Sequence, residues 1–329
     1  MYDEPKITFM CVTYNRVKML NNLLLSFVMT NTYKNFEWII LEHDCTDGTA
    51  EYLDNILDNP LFDELKGKLK VIHSKDQPYL EFLENCGKDI DLRTTKKRVF
   101  SQFGKYRNDI IKESTGDIII DIPDDHQFLY KGAWCEEIID IFNDRIEKTG
   151  KNDVSVLSFR TRMGYRIDKP NNCRTKVQTT KSGVEYYVIK STKTHDEWCA
   201  FSKENFKKAG LFPQLENMPR DIIDKWNNYK DFYYLHHEYL NEKFFELNLK
   251  RITTKLPITH DCDNSSWEKY AKPNKTIFKI RESKEDFKIA YKKHTRPIST
   301  EEFEKQFPPG GGSIFPGSDL YFLPDPDIT

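Results

Sequence analysis

The sequence predicts an α/β fold: a mostly parallel sheet with helices on both faces, an α+β second half and an irregular C-terminal tail. Three observations predict it. Through residues 7–130, short apolar runs of strand length alternate with stretches whose apolar residues recur at helical spacing. Each apolar run ends in polar residues rather than in a hairpin turn. From residue 308 the chain reads Pro-Pro-Gly-Gly-Gly and then meets further prolines, which predicts no regular element there.

The first run, Ile7 to Val12, reads as a buried strand and ends in Thr13-Tyr14-Asn15-Arg16. Met19, Leu20, Leu23, Leu24, Phe27 and Val28 then form an i, i+3/i+4 stripe, which predicts a helix over 18–30. Trp38 to Leu41 is a second buried strand, running into Glu42-His43-Asp44-Cys45-Thr46-Asp47-Gly48-Thr49. Asp47 or Thr49 suits the N-cap of a helix reaching Leu57. Leu69 to His73 reads as a third strand, and 74–104 as a long polar loop of the kind that often closes over a site. Lys105 to Ser114 reads as a helix ended by Thr115-Gly116.

In the second half, Trp134 to Ile146 is an amphipathic helix, Val154 to Arg160 a strand and 161–181 a polar loop. Val184 to Ile189 reads as a strand, Lys203 to Ala209 and Tyr233 to Asn248 as helices, and Arg251 to Thr259 as one strand ending at His260-Asp261. Beyond 266 the periodicity fades.

Bulk properties narrow the function. With 50 Lys and Arg against 52 Asp and Glu, near-neutral charge gives no electrostatic case for nucleic acid or acidic lipid. Seven scattered cysteines form no CxxC pair, which fits a reducing compartment and argues against a zinc site. Neither a secretory leader nor a run of ~18 apolar residues is expected, so the expected location is the cytoplasm.

The most informative stretch is Gly116 to His126. A β-branched run, Ile118-Ile119-Ile120, runs straight into Asp121, Asp124 and Asp125. Carboxylates at the C-terminal end of a parallel strand lie where open α/β sheets bind ligands. The stretch reads either as a polar turn after a core strand or as a seat for a divalent cation on a diphosphate. Two-residue alternation sends Asp121 to the opposite face or into a local pair, leaving Asp125 as the stronger ligand candidate.

Four separate segments together resemble the family-2 glycosyltransferases of the GT-A fold. Val12-Thr13-Tyr14-Asn15-Arg16 resembles that family's "PTYNR" strand end, and Glu42 to Thr49 its "DDGSTDGT". Arg107-Asn108 resembles the "RN" ahead of its "TGEYI" strand, and Pro123-Asp124-Asp125 stands where the family keeps a DXD motif. The similarity is clear over about residues 5–130 and fair around Trp198 to Ser202 and Gly210-Leu211-Phe212.

The resemblance implies a GT-A, Rossmann-like enzyme that moves a sugar from a nucleotide diphosphate sugar, a UDP-sugar being favoured, to a saccharide or glycan acceptor with inversion. It implies a nucleotide-sugar-binding half at 1–130, an acceptor-binding half at 131–265 and an extension at 266–329. Val12, Thr13, Tyr14, Arg16, Glu42, Asp44, Arg107 and Asp124 would line the donor. Asp125 and Asp124, with His260 as a further candidate, would hold Mn2+ or Mg2+. Glu238, or else His237, would be the general base, with Asp196-Glu197 a second source. Trp198 reads as a sugar-stacking or a core tryptophan, and Arg160, Arg162 and Arg166 as an anion contact or a solvated strand face. Two departures stand out: Glu42-His43-Asp44 replaces Asp-Asp-Gly, and Pro123-Asp124-Asp125 replaces Asp-X-Asp. A nucleotidyltransferase is disfavoured because Val12 to Arg16 contains no glycine to cradle phosphates. The alternatives that remain are a degenerate GT-A domain that only binds, and a transferase acting on a modified nucleic-acid base.

Overall fold

The computed structural model describes residues 1–75, 104–158, 174–189, 199–212, 235–254, 258–261, 280–297 and 320–322. Its first half follows the predicted alternation: β1 (Ile7–Thr13), α1 (Val17–Thr30), β2 (Phe36–His43), α2 (Thr49–Asn55), β3 (Leu69–Ser74), a helix α3 over 104–113, and β4 (Ile118–Asp121). The second half holds β5 (His126–Phe128), α4 (Trp134–Thr149), β6 (Val154–Ser158), β7 (Arg174–Thr179), β8 (Glu185–Ile189), β9 (Cys199–Ser202), α5 (Lys203–Lys208), α6 (Leu235–Glu246), β10 (Lys250–Thr254), β11 (Thr259–Asp261), α7 (Lys284–His294), β12 (Thr295–Pro297) and β13 (Leu320–Phe322).

Among the described residues, nine strands form one mixed sheet in the order β3-β2-β1-β4-β9-β6-β10-β8-β7. β3, β2, β1 and β4 run parallel, so their C-terminal ends share one edge. β6 and β10 are also parallel, while β9, β8 and β7 join antiparallel.

Strand alternation builds two cores from one sheet. Ile7, Phe9, Cys11, Phe36, Trp38, Ile40, Ile118 and Ile120 face one core, closed by Leu20, Leu23, Leu24 and Phe27 of α1 and by Ile138 and Phe142 of α4. Met10, Ile39, Leu41 and Ile119 face the other, closed by Tyr106, Ile110 and Ile111 of α3, Phe206 of α5, and Leu240 and Phe244 of α6. Both sheet faces are thus covered by helices, as the sequence predicts.

The entry to β4 is tightly built. Glu37 accepts hydrogen bonds from Thr8 Oγ1 (2.6 Å), Thr115 N (2.6 Å), Thr115 Oγ1 (2.9 Å) and Gly116 N (3.2 Å). A Cβ on Gly116 would lie 2.7 Å from Thr8 N and 2.8 Å from Lys6 O, so only glycine lets β4 lie down beside β1.

Several expectations need correction. β9 lies between β4 and β6, although Cys199-Ala200-Phe201-Ser202 is too short to show a period. β7 occupies the end of the expected 161–181 loop; its Arg-Thr-Lys-Val-Gln-Thr is a polar edge strand. The expected single strand 251–259 is two: β10 in the main sheet, and β11 paired with β5. The C-terminal extension also contains regular structure. Ser283 Oγ accepts from Asp286 N (3.1 Å) at the start of α7, and Phe287 stacks on Tyr130 with ring centroids 5.2 Å apart. β13 pairs with β12 inside the stretch expected to be irregular, because Leu320-Tyr321-Phe322 is a proline-free β-forming triplet. No described helix is long and apolar enough to cross a membrane.

Candidate active site

The shared direction of β1, β2, β3 and β4 puts four polar strand ends on one edge. The loops after β1 and β2 are laced together. Asn15 Oδ1 accepts from Thr46 N (2.7 Å), Asn15 N donates to Cys45 Sγ (3.2 Å), and Asp47 Oδ2 accepts from Val17 N (3.0 Å) at the start of α1. Asp47 Oδ1 also accepts from Thr49 N (3.1 Å) at the start of α2, so one carboxylate serves two helix N-termini. Asn15 (φ 52°) and Asp44 (φ 45°) both occupy the left-handed region, which Asn and Asp tolerate best among non-glycine residues.

After β4 the chain turns at Pro123–His126. His126 N donates to Pro123 O (3.2 Å), and Asp124 and Asp125 are the two central residues of the turn. Thr13 Oγ1 donates to Asp124 Oδ2 (2.9 Å). One nitrogen of Arg16, Nη1, lies 3.2 Å from Asp124 Oδ1 and 2.9 Å from Asp125 Oδ2. Asp124 is 6% exposed. Burial, together with the neighbouring Asp125 carboxylate, pushes its pKa up to about 6 against the opposing pull of Arg16 and Thr13. Burial works against the Arg16 charge, but Asp124 and Asp125 outweigh it and hold the guanidinium more firmly protonated.

Glu42 is 3% exposed at the end of β2. It accepts from Cys45 N and lies 3.1 Å from Nδ1 of His73, whose Nε2 is 3.2 Å from Asp54 Oδ1. His73 is the site residue that the sequence reading passed over. It sits directly beside Glu42 in the β2–β3 register, at the same kind of polar strand end that singled out its neighbours. Tyr14, 52% exposed, lies 5.7 Å from the His43 ring, which is 4.7 Å from the Tyr106 ring. The three form an aromatic row at the strand ends on the α3 side of the sheet. Val12 is part-buried and packs on the α3 side of the sheet. Asp44 is exposed on the loop after β2.

The Arg107-Asn108 pair has a visible structural role. Arg107 Nε donates to Asp121 Oδ2 (2.8 Å), both side chains being buried, and its guanidinium lies 5.6 Å from the centroid of the Phe212 ring. Alternation carries Asp121 to the α3 face, away from the Asp124-Asp125 turn. Asn108 clamps the backbone of Phe212, donating to its O (2.8 Å) and accepting from its N (2.9 Å). Two of the motif-like segments, 107–108 and 210–212, are therefore in direct contact across the molecule.

β11 pairs with β5 so that His260 lies opposite Gln127, two residues beyond Asp125. Glu238 and His237 fall in the first turn of α6, where the backbone is described. Trp198, Asp196, Glu197, Arg160, Arg162, Arg166 and the 76–103 part of the expected loop lie outside the described residues. Among the described residues, no group of three or more His, Cys, Asp and Glu side chains could hold a metal ion. Asp124 and Asp125 themselves fit a hard cation. They are adjacent oxygen donors, one deeply buried, and a single guanidinium nitrogen faces both.

No protein-family model and no curated protein sequence matches the chain. Solved structures do. S. aureus TarS 1-349 is 14% identical, covering 78% of this chain and 60% of that one, with a TM-score of 0.45; its complex with UDP gives the same identity and coverage and a TM-score of 0.46. The Pyrobaculum calidifontis mannosyltransferase PcManGT, in complex with GDP-Man and Mn2+, is 13% identical, covering 78% of this chain and 56% of that one, with a TM-score of 0.45. The chain spans about three-fifths or less of the length of these structures.

Proposed function

We propose that the protein is a family-2 glycosyltransferase of the GT-A fold. It moves a sugar from a nucleotide diphosphate sugar, with a UDP-sugar favoured, to a saccharide or glycan acceptor, with inversion and with a divalent cation. One observation carries the reading: Thr13, Arg16, Asp124 and Asp125 meet at the C-terminal edge of one parallel sheet with their side chains already joined, and Glu42 ends the neighbouring strand in register with Thr13. The four motif-like segments occur in the family's order, which supports it further.

In this reading residues 1–130 bind the donor, 131–265 bind the acceptor, and 266–329 are a C-terminal extension. Tyr14 and Glu42 border the base and ribose, with Asp44 on the rim and Val12 at the floor. Thr13 and Asp124 face the ribose, and Arg16 meets the diphosphate. Arg107 keeps Asp121 away from the donor and ties the donor half to Phe212. Asp125 and Asp124, with His260, would hold Mn2+ or Mg2+. That cation, when bound, offsets the negative charge that grows on the departing nucleoside diphosphate. Glu238 takes the proton from the acceptor hydroxyl as it attacks the anomeric carbon, with His237 the other candidate.

Water can stand in for the acceptor, so donor hydrolysis tests the reading without knowing the glycan. UDP-glucose, UDP-galactose, UDP-N-acetylglucosamine and GDP-mannose are each incubated with protein and Mn2+, and release of nucleoside diphosphate is measured. Release from one donor that is lost in Asp125→Ala supports the proposal. No release from any donor, or equal release from Asp125→Ala, counts against it.

A further inference from the structure

The pairing of Arg16 with the acidic turn has a consequence for the order of binding. The two carboxylates share the guanidinium of Arg16, a cation that belongs to the chain. Arg16 Nη1 stands 3.2 Å from Asp124 Oδ1 and 2.9 Å from Asp125 Oδ2, between the two groups that would hold a metal. A Mn2+ or Mg2+ ion contacts carboxylate oxygens at roughly 2.0–2.3 Å. To do so on both groups while a guanidinium nitrogen lies within hydrogen-bond distance of an oxygen of each would crowd like charges into one small volume, which weakens the binding of the ion.

We propose that Arg16 is an electrostatic latch on this site, filling the cation position until a donor diphosphate draws it away, so that the divalent ion enters only with the nucleotide. The inference rests on the donor-site reading above. Three features support it. The Arg16 side chain is 30% exposed against 8% for Asp124 and 14% for Asp125, so it covers the pair from the solvent side and can swing off. Both of these contacts use a single nitrogen, whereas a diphosphate offers the fork-matched oxygens that a guanidinium prefers. Arg16 also stands at the N-cap position of α1 with non-helical backbone (φ −141°, ψ 39°), and no side-chain cap bond ties it to the helix.

The role follows from charge. Without a nucleotide, the charge of Arg16 offsets part of the negative charge of the pair and lowers its affinity for a free cation. A diphosphate supplies the negative charge that recruits Arg16, and the uncovered carboxylates and phosphate oxygens then share the incoming ion. The chain would thus avoid taking up a metal ion unproductively.

Mn2+ uptake by the full-length protein tests this directly, because free Mn2+ has a paramagnetic resonance signal that disappears on binding. Wild type, Arg16→Gln and Asp125→Ala are titrated with Mn2+, alone and with UDP or GDP, and uptake by the protein is the signal lost beyond that of the same titration without protein, because the nucleotide itself binds Mn2+. The latch predicts that wild type takes up Mn2+ only with a nucleotide, that Arg16→Gln takes it up alone at least ten-fold more tightly than wild type, and that Asp125→Ala takes up none. Equal nucleotide-free affinity in wild type and Arg16→Gln overturns the latch and leaves the metal site standing. No uptake by wild type or Arg16→Gln with or without nucleotide overturns the metal site itself, and the latch with it. Should Arg16→Gln fail to fold, wild type alone decides: tight Mn2+ uptake before any nucleotide is added overturns the proposal.

Discussion

Glu37 fastens the strand that carries the acidic turn, and replacing it with Gln gives a quantitative test of that fastening. Burial alone would raise its pKa. Hydrogen bonds from Thr8, from the backbone and side chain of Thr115, and from Lys6 reverse this and hold the carboxyl at about 2, against 4.5 for an ordinary glutamate. At about 1.4 kcal/mol per pH unit that difference corresponds to roughly 3 kcal/mol. The Lys6 partner is 38% exposed, and solvent screening at this rim trims the figure to about 1–2 kcal/mol. The sign is that of a depressed carboxyl. The stabilisation is complete above pH 4.5 and is lost as pH falls toward 2. Thermal unfolding of wild type and Glu37→Gln from pH 7 to pH 2 reads it out. A loss of about 1–2 kcal/mol moves Tm by roughly 2–8 °C in a domain of this size. The gap should be full at pH 7 and nearly closed at pH 2. A variant as stable as wild type at pH 7, or a gap that persists unchanged at pH 2, would refute the reasoning.

Gly116→Ala should cost more, about 2–3 kcal/mol by urea unfolding, because its Cβ meets backbone atoms of Lys6 and Thr8 that cannot move without shifting β1. Asn108→Ala should lose roughly 2–3 kcal/mol in the same assay, since it strips both backbone partners from Phe212 at a buried position. Asp124→Asn removes a buried charge and keeps the shape. Its Tm at neutral pH should therefore rise by a few degrees while nucleotide-dependent stabilisation is lost, a conflict between stability and function expected of a binding carboxylate. A fall in Tm for Asp124→Asn would show that the carboxylate is there for structure.

The parallel half of the fold was legible because β1, β2 and β4 are buried on both faces and therefore read as unbroken apolar runs. The polar strand ends were legible for the same reason, and they point to Thr13, Glu42, Asp124 and Asp125. His73 was passed over because β3 is an edge strand with mixed burial, so its end carries a weaker signal. The antiparallel additions were hidden by length: β9 has four residues and β11 three, too few for periodicity. The start of α7 had a readable sign in Ser283 and Asp286 spaced as a cap, but the charged residues of that helix mask its buried anchor Phe287. The pairing of Arg16 with Asp124 and Asp125 spans about a hundred residues and needs the topology before it can be seen.

The central claim is a nucleotide site at the acidic turn, and thermal unfolding with UDP, GDP, CDP and dTDP, each with and without Mn2+, tests it most directly. A ligand at about 100 times its dissociation constant adds roughly 2.7 kcal/mol. In a domain of this size that is about 5–10 °C. The account predicts such a rise with one nucleotide, dependent on Mn2+ and absent in Asp125→Ala. A flat Tm with every nucleotide would contradict it.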